Sequence, residues 1–143
     1  MRGNRSKPAA AFAVVVGIGL GVVGIEVLNA QQAAAPPAIK RTVLLKQEST
    51  SCPDRDSVML LVELPPVSTE GKHTHPGELY GYVLEGNPTL DIEGQGTRNM
   101  KPGDVFFIAP GQVHEGSNRT KLPAKISVVL VAEKGKQLST PAP

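Results

Sequence analysis

Three histidines are all this chain contains, and they fall in two short segments: His73 and His75, one residue apart, and His114 at the end of Ala109-Pro110-Gly111-Gln112-Val113-His114. Alternate side chains of a strand share a face, so His73 and His75 can grip one small object from the same side. Neutral imidazole is the commonest nitrogen ligand of transition metals, and a third imidazole joins the pair only if the chain folds back on itself. His114 is the residue available for that. The bland reading of a bare His-x-His pair is two ordinary surface histidines, because so short a motif is no more than a hypothesis. What surrounds the pair decides between the two.

His73, His75 and Gly86 fit the pattern G-x5-H-x-H-x3,4-E-x6-G, and Gly103, Gly111, His114 and Asn118 fit G-x5-P-x-G-x2-H-x3-N. These are the two signature motifs of the cupin family, which the chain resembles over roughly residues 60–131; it is most similar to small single-domain cupins of the quercetin-dioxygenase-like kind. The resemblance implies a jelly-roll, double-stranded β-barrel, with His73, His75 and His114 as metal ligands and a homodimer as the assembly. It implies a divalent transition metal, and three nitrogens suit Fe, Zn, Ni, Cu or, less well, Mn. Asn118 opens an Asn-Arg-Thr glycosylation sequence, yet as a motif residue it is expected to tie down the loop after His114 through its amide.

Three positions depart from the pattern. Val67 stands for the first glycine and Ala109 for the proline, with Pro110 next door to stiffen the turn. The metal-binding glutamate of the family falls at Leu79. Glu78 is adjacent, but strand alternation turns it, with Tyr80 and Tyr82, away from the face that carries His75 and Leu79. Glu78 is therefore expected to face solvent or a subunit contact, which leaves three imidazoles and no carboxylate. Gln112 and Glu115 flank His114 and are candidates for steering a substrate or a metal-bound water; otherwise they are exposed loop side chains.

Elements that can hold such a site follow from the rest of the chain. With 143 residues and 40% apolar content there is room for one domain with a real core. β-rich runs at 41–45, 57–64, 79–84, 89–93, 97–100, 105–108 and 125–133 are separated by turn signals, among them Pro65-Pro66, Gly94-Gln95-Gly96 and Lys101-Pro102-Gly103-Asp104. No helical period is present beyond the N-terminal segment, so the fold class is all-β, a sandwich or barrel. Its inward positions, such as Leu79, Val83 and one of Phe106 and Phe107, would wall a cavity.

Residues 1–30 read as an export segment: Arg2, Arg5 and Lys7 form a positive head, 9–25 is uncharged, and Leu28-Asn29-Ala30 offers an imperfect cleavage site. The alternative is an uncleaved membrane anchor, short for a bilayer and diluted by glycine. Either places the domain in the periplasm or outside the cell. Residues 31–38 form an Ala/Pro linker, 39–133 the domain, and 134–143 a polar tail expected to fray or pack along the outside. Removing residues 1–30 from the net charge of +2 leaves 12 basic and 12 acidic side chains, so no basic patch invites nucleic acid. The lone Cys52 rules out an internal disulfide.

Two functions fit. One is a metalloenzyme, a dioxygenase or isomerase acting on a small phenolic-type molecule; the other is a module that binds a small molecule or a metal without turnover. Leu79 inclines the balance to the second, since a missing acid-base group is easier to reconcile with binding.

Overall fold

The computed structural model describes residues 37–143; the segment expected to direct export and most of the expected linker lie outside the described residues. The chain runs through β1 (Lys40–Glu48), β2 (Arg55–Leu64), β3 (Ser68–Thr69), β4 (His73–Thr74), β5 (Glu78–Glu85), β6 (Thr89–Ile92), β7 (Gly96–Asn99), β8 (Val105–Ile108), β9 (His114–Asn118), β10 (Ala124–Glu133) and β11 (Thr140–Pro141). No helix occurs among the described residues. The strands pair into two antiparallel sheets, one ordered β1-β2-β10-β5-β8 and the other β11-β4-β9-β6-β7 with β3 also on β9.

Alternation explains why these segments are strands and which way they face. Along β10 the burial switches at every residue: Ala124, Ile126, Val128, Leu130 and Ala132 point in. β2 and β5 alternate over most of their length, with Val58, Val62 and Leu64, and Leu79 and Val83, turned in, so the inner face of this sheet is largely aliphatic. Leu90, Ile92 and Met100 meet it from the second sheet or its flank. On the outer face Tyr80, Tyr82, Leu84, Val105 and Phe107 are exposed, and the rings of Tyr80 and Phe107 lie 5.2 Å apart.

The register also settles which phenylalanine enters the barrel. Gly81 pairs with Phe106 across β5 and β8, and a Cβ on Gly81 would lie 2.1 Å from the Phe106 ring. The missing side chain makes the space that the ring fills, and Phe107 is left on the outside.

The shared glycines of the two motifs have a backbone reason. Gly86, Gly103 and Gly111 all hold positive φ, at 76°, 93° and 71°, and Val67 at the fourth such position does too, at 52°. For a β-branched residue that conformation costs on the order of 1–2 kcal/mol. Val67 is 71% exposed, so little packing offsets the strain. Part of the gain from glycine is returned through the freer unfolded chain. Val67→Gly is therefore expected to stabilise the domain by roughly 0.5–1 kcal/mol, read as a Tm raised by a few degrees; an unchanged or lower Tm would show that the strain is absent.

The tail does not fray. β11 pairs with β4, with Thr140 opposite Thr74 and Pro141 opposite His73, and Ala142 N–H donates to the Lys72 carbonyl at 3.0 Å. Leu138 packs against the core. An apolar residue in a polar tail supplies the anchor, and an edge strand tolerates the prolines because its outer side has no ladder to complete.

Candidate metal centre

Strand pairing, not proximity in sequence, assembles the histidines. β4 and β9 are antiparallel neighbours with His73 directly opposite His114, which brings their Cβ atoms to about 5 Å. His75 follows two residues on and so shares the face of His73; its carbonyl accepts from Gly111 N–H at 2.9 Å, tying it to the turn before β9. The ring centroids of the three lie 4.3–4.9 Å apart, and one ring nitrogen from each falls within 4.8 Å of the others. His73, His75 and His114 are 8, 9 and 5% exposed, so the cluster is shielded from bulk water.

Each ring is held in one orientation by a backbone carbonyl. Nδ1–H of His73 donates to Gly71 at 2.8 Å, that of His75 to Leu138 at 2.6 Å, and that of His114 to Gln112 at 3.0 Å. A carbonyl can only accept, so Nδ1 carries the proton and Nε2 of all three is left as the free lone pair. This is the outer shell that metal-ligating histidines carry.

Burial favours the neutral form of His114 and His75. Burial pushes the His114 pKa down to about 4, against the raising effect of the Gln112 carbonyl, with His73 and His75 adding a smaller downward push. His75 is lowered by burial first; its bond to Leu138 opposes that, and His73 and Arg41 lower it further. The sign for stability follows. The unfolded chain takes up a proton near pH 6.5, the folded chain at His114 only near 4, so the contribution is intact above about pH 6.5 and is lost as the pH falls from there to 4. Chemical unfolding of the metal-free protein should show this loss confined to that window and reduced in His114→Gln; an identical pH profile in the variant would sink the assignment.

The cluster opens on a cavity of about 270 Å³. Its walls are aliphatic and aromatic, with Leu79, Met100, Phe106, Ile126, Val128 and Leu138 among them. Leu79, 5% exposed, occupies the family's glutamate position on the cavity wall, and Glu78 is exposed and accepts from the Tyr80 hydroxyl at 3.0 Å. Strand parity is thus obeyed, and Glu78 does not replace the missing ligand.

Gln112 and Glu115 do not line this cavity. The Gln112 amide donates to the Glu93 carbonyl at 2.9 Å, and Glu115, one residue past His114 and hence on the other face of β9, accepts from the Thr69 hydroxyl. Two charged groups that do line it are Arg41 and Glu70, paired at 2.6 Å, with Glu70 the better buried at 13% side-chain exposure against 48%. The second oxygen of Glu70 lies 2.4 Å from where a Cβ on Gly116 would stand. A glycine within a strand, two residues from a histidine ligand candidate, was the signal in the sequence that another group comes close there.

An all-β barrel with three inward imidazoles beside an apolar hollow defines a class, that of β-barrel proteins able to hold a metal next to a small-molecule cavity. The cupin-domain family model matches residues 60–131, and the chain belongs to the cupin family. Comparison with curated protein sequences gives no match. Among solved structures, the chain is similar to a conserved double-stranded β-helix protein from Klebsiella pneumoniae, 26% identical with a TM-score of 0.60, over 76% of this chain and 90% of that one. It is also similar to the polyketide cyclase RemF from Streptomyces resistomycificus, 28% identical with a TM-score of 0.53 over 63% of each chain. The DMSP lyase DddQ from Ruegeria pomeroyi, 21% identical with a TM-score of 0.59, shares the fold over 73% of this chain, which spans about half (51%) of that protein.

Proposed function

We propose that this protein is an exported metal-dependent cupin that performs isomerase- or cyclase-type proton chemistry on a small, largely apolar organic molecule. The observation that carries the reading is the convergence of one ring nitrogen from each of three histidines, within 4.8 Å of one another, on the wall of an apolar cavity. Three neutral imidazoles with their outer hydrogen bonds in place fit a divalent transition metal. When bound, such an ion supplies Lewis acidity, which polarises a carbonyl or phenolate oxygen. The chain's own residues do the rest. His73, His75 and His114 would hold the ion, while Leu79, Phe106 and Leu138 would exclude water from the substrate's body.

Glu70 is the one carboxylate among the cavity-lining residues, and Arg41 clamps one of its oxygens. Its other oxygen, which lies against Gly116, is the carboxylate oxygen that would take a proton from a substrate held in the cavity. The likeness to RemF, a polyketide cyclase with 28% identity, supports the cyclase-type reading. One observation favours a second reading: Leu79 in place of the family's carboxylate suits a module that binds without turnover.

Metal analysis of the purified full-length protein comes first, followed by deuterium exchange into benzoylacetone, an enolisable diketone, followed by NMR. Metal-dependent exchange that falls at least tenfold in Glu70→Gln is the expected result. Saturable, metal-dependent binding of the diketone without exchange favours the module. Oxygen consumption instead of exchange overturns the reaction type, and a protein that retains no metal overturns the whole reading.

A further inference from the structure

The three Nδ1–H bonds are not equivalent. His73 and His114 each donate to a carbonyl two residues earlier, so their orientation is built into their own turns. His75 donates to Leu138, 63 residues further along the chain, at 2.6 Å, the shortest of the three. Leu138 and Ser139 also line the cavity. The segment that supplies this carbonyl is held by the two-residue β11, by Ala142 N–H on the Lys72 carbonyl and by the packing of Leu138. These are edge contacts, and the sheet inside them is complete without β11.

Resting on the three-histidine reading of the metal centre, we propose that residues 137–143 form a positioning strap whose Leu138 carbonyl sets the ring of His75, so that the third ligand is delivered only when the strap is docked. With the strap removed, the His75 ring regains rotation about its side-chain bonds and its Nδ1 turns to water. Either nitrogen can then carry the proton, and the set of three inward Nε2 atoms is no longer fixed before the ion arrives. His73 loses its ladder neighbour Pro141, but it and His114 keep the Gly71 and Gln112 carbonyls that orient their rings.

The test compares the full-length protein with a chain ending at Lys136. Zinc affinity is measured by competition with a chelator, and folding by circular dichroism and thermal unfolding without metal. The expected result is zinc binding weakened roughly 10–100-fold in a shortened chain that still folds. In nitrogen-15 spectra of the histidine rings, only the His75 signals should lose the defined Nδ1–H form, a pattern that general loosening would not give. A folded shortened chain that binds zinc within about threefold of the full-length protein overturns the strap. A full-length protein that binds no zinc overturns the metal centre instead, so the two failures are distinct. If the shortened chain does not fold, the zinc-loaded full-length protein decides. A His75 Nδ1 proton coupled through its hydrogen bond to the labelled Leu138 carbonyl supports the proposal, and an Nε2–H form of His75 overturns it.

Discussion

His114→Ala is expected to lower divalent-metal affinity by on the order of a hundredfold or more, because it removes the one ligand that β9 would contribute and leaves the single-sided pair His73 and His75. Two imidazoles from one segment hold a divalent ion weakly at neutral pH, and the mutation also leaves their Nε2 atoms facing an empty wall. Isothermal titration or chelator competition with zinc measures the loss, and circular dichroism checks that the barrel persists. His73→Ala should behave alike, since its Cα sits opposite His114 across the same strand pair. Retention of full affinity in either variant would place the ion elsewhere. The control is Glu115→Gln: Glu115 sits on the opposite face of β9, bonded to Thr69, and its replacement should leave affinity within a factor of about two.

Asn118→Ala should cost about 3 kcal/mol of stability and lower Tm by roughly 10–20 °C. Asn118 is 1% exposed, and its amide nitrogen donates to the carbonyls of Leu64 and Pro65, each at 3.1 Å, and of Leu122 at 2.7 Å. Its oxygen accepts from the Thr120 N–H at 3.0 Å and hydroxyl at 2.8 Å. One side chain thus joins the end of β2 to the loop between β9 and β10. Alanine would leave buried carbonyls without a donor and abandon the bridge, and both losses add. Asn118→Asp keeps the acceptor but loses the donors, and should fall between alanine and the native protein. Denaturant unfolding gives the number; a loss below about 1 kcal/mol would show that water replaces the bonds. The same geometry bears on the glycosylation sequence, because an amide nitrogen buried and engaged three ways cannot carry a sugar in the folded protein.

How much of this was legible beforehand depends on whether the information is local. Alternation is local, so the outward course of Glu78, Tyr80 and Tyr82 and the inward course of Leu79 could be counted along β5. The hairpin of β6 and β7 around Gly94 and Gln95 was legible for the same reason, as was the β-character of β2, β8 and β10. Choosing between Phe106 and Phe107 needed the register of β8 on β5, a partner from which two strands separate it in sequence; Gly81, isolated between two tyrosines, was the available hint. β4 and β9 carry too few apolar or β-branched residues to announce themselves as strands, and only the motif spacing pointed to them.

The site itself divides in the same way. Its three histidines were legible because the motif fixes type and spacing together. Arg41, Glu70 and Leu138 were not, since each reaches the cavity from β1, from the turn between β3 and β4, or from the tail, and long-range placement leaves no period in the sequence. Gln112 and Glu115 were chosen for closeness to His114 along the chain; Glu115, one residue on, takes the other face of β9, and Gln112, in the turn before the strand, has its amide bonded to the Glu93 carbonyl.

Cys52, exposed in the turn between β1 and β2, is the sole thiol of the chain. One alkylation therefore installs one reporter, at one known address, without touching any imidazole. A nitroxide placed there and a paramagnetic ion held by the histidines would form a ruler across the barrel, with which loading and release could be timed in solution by pulsed spectroscopy.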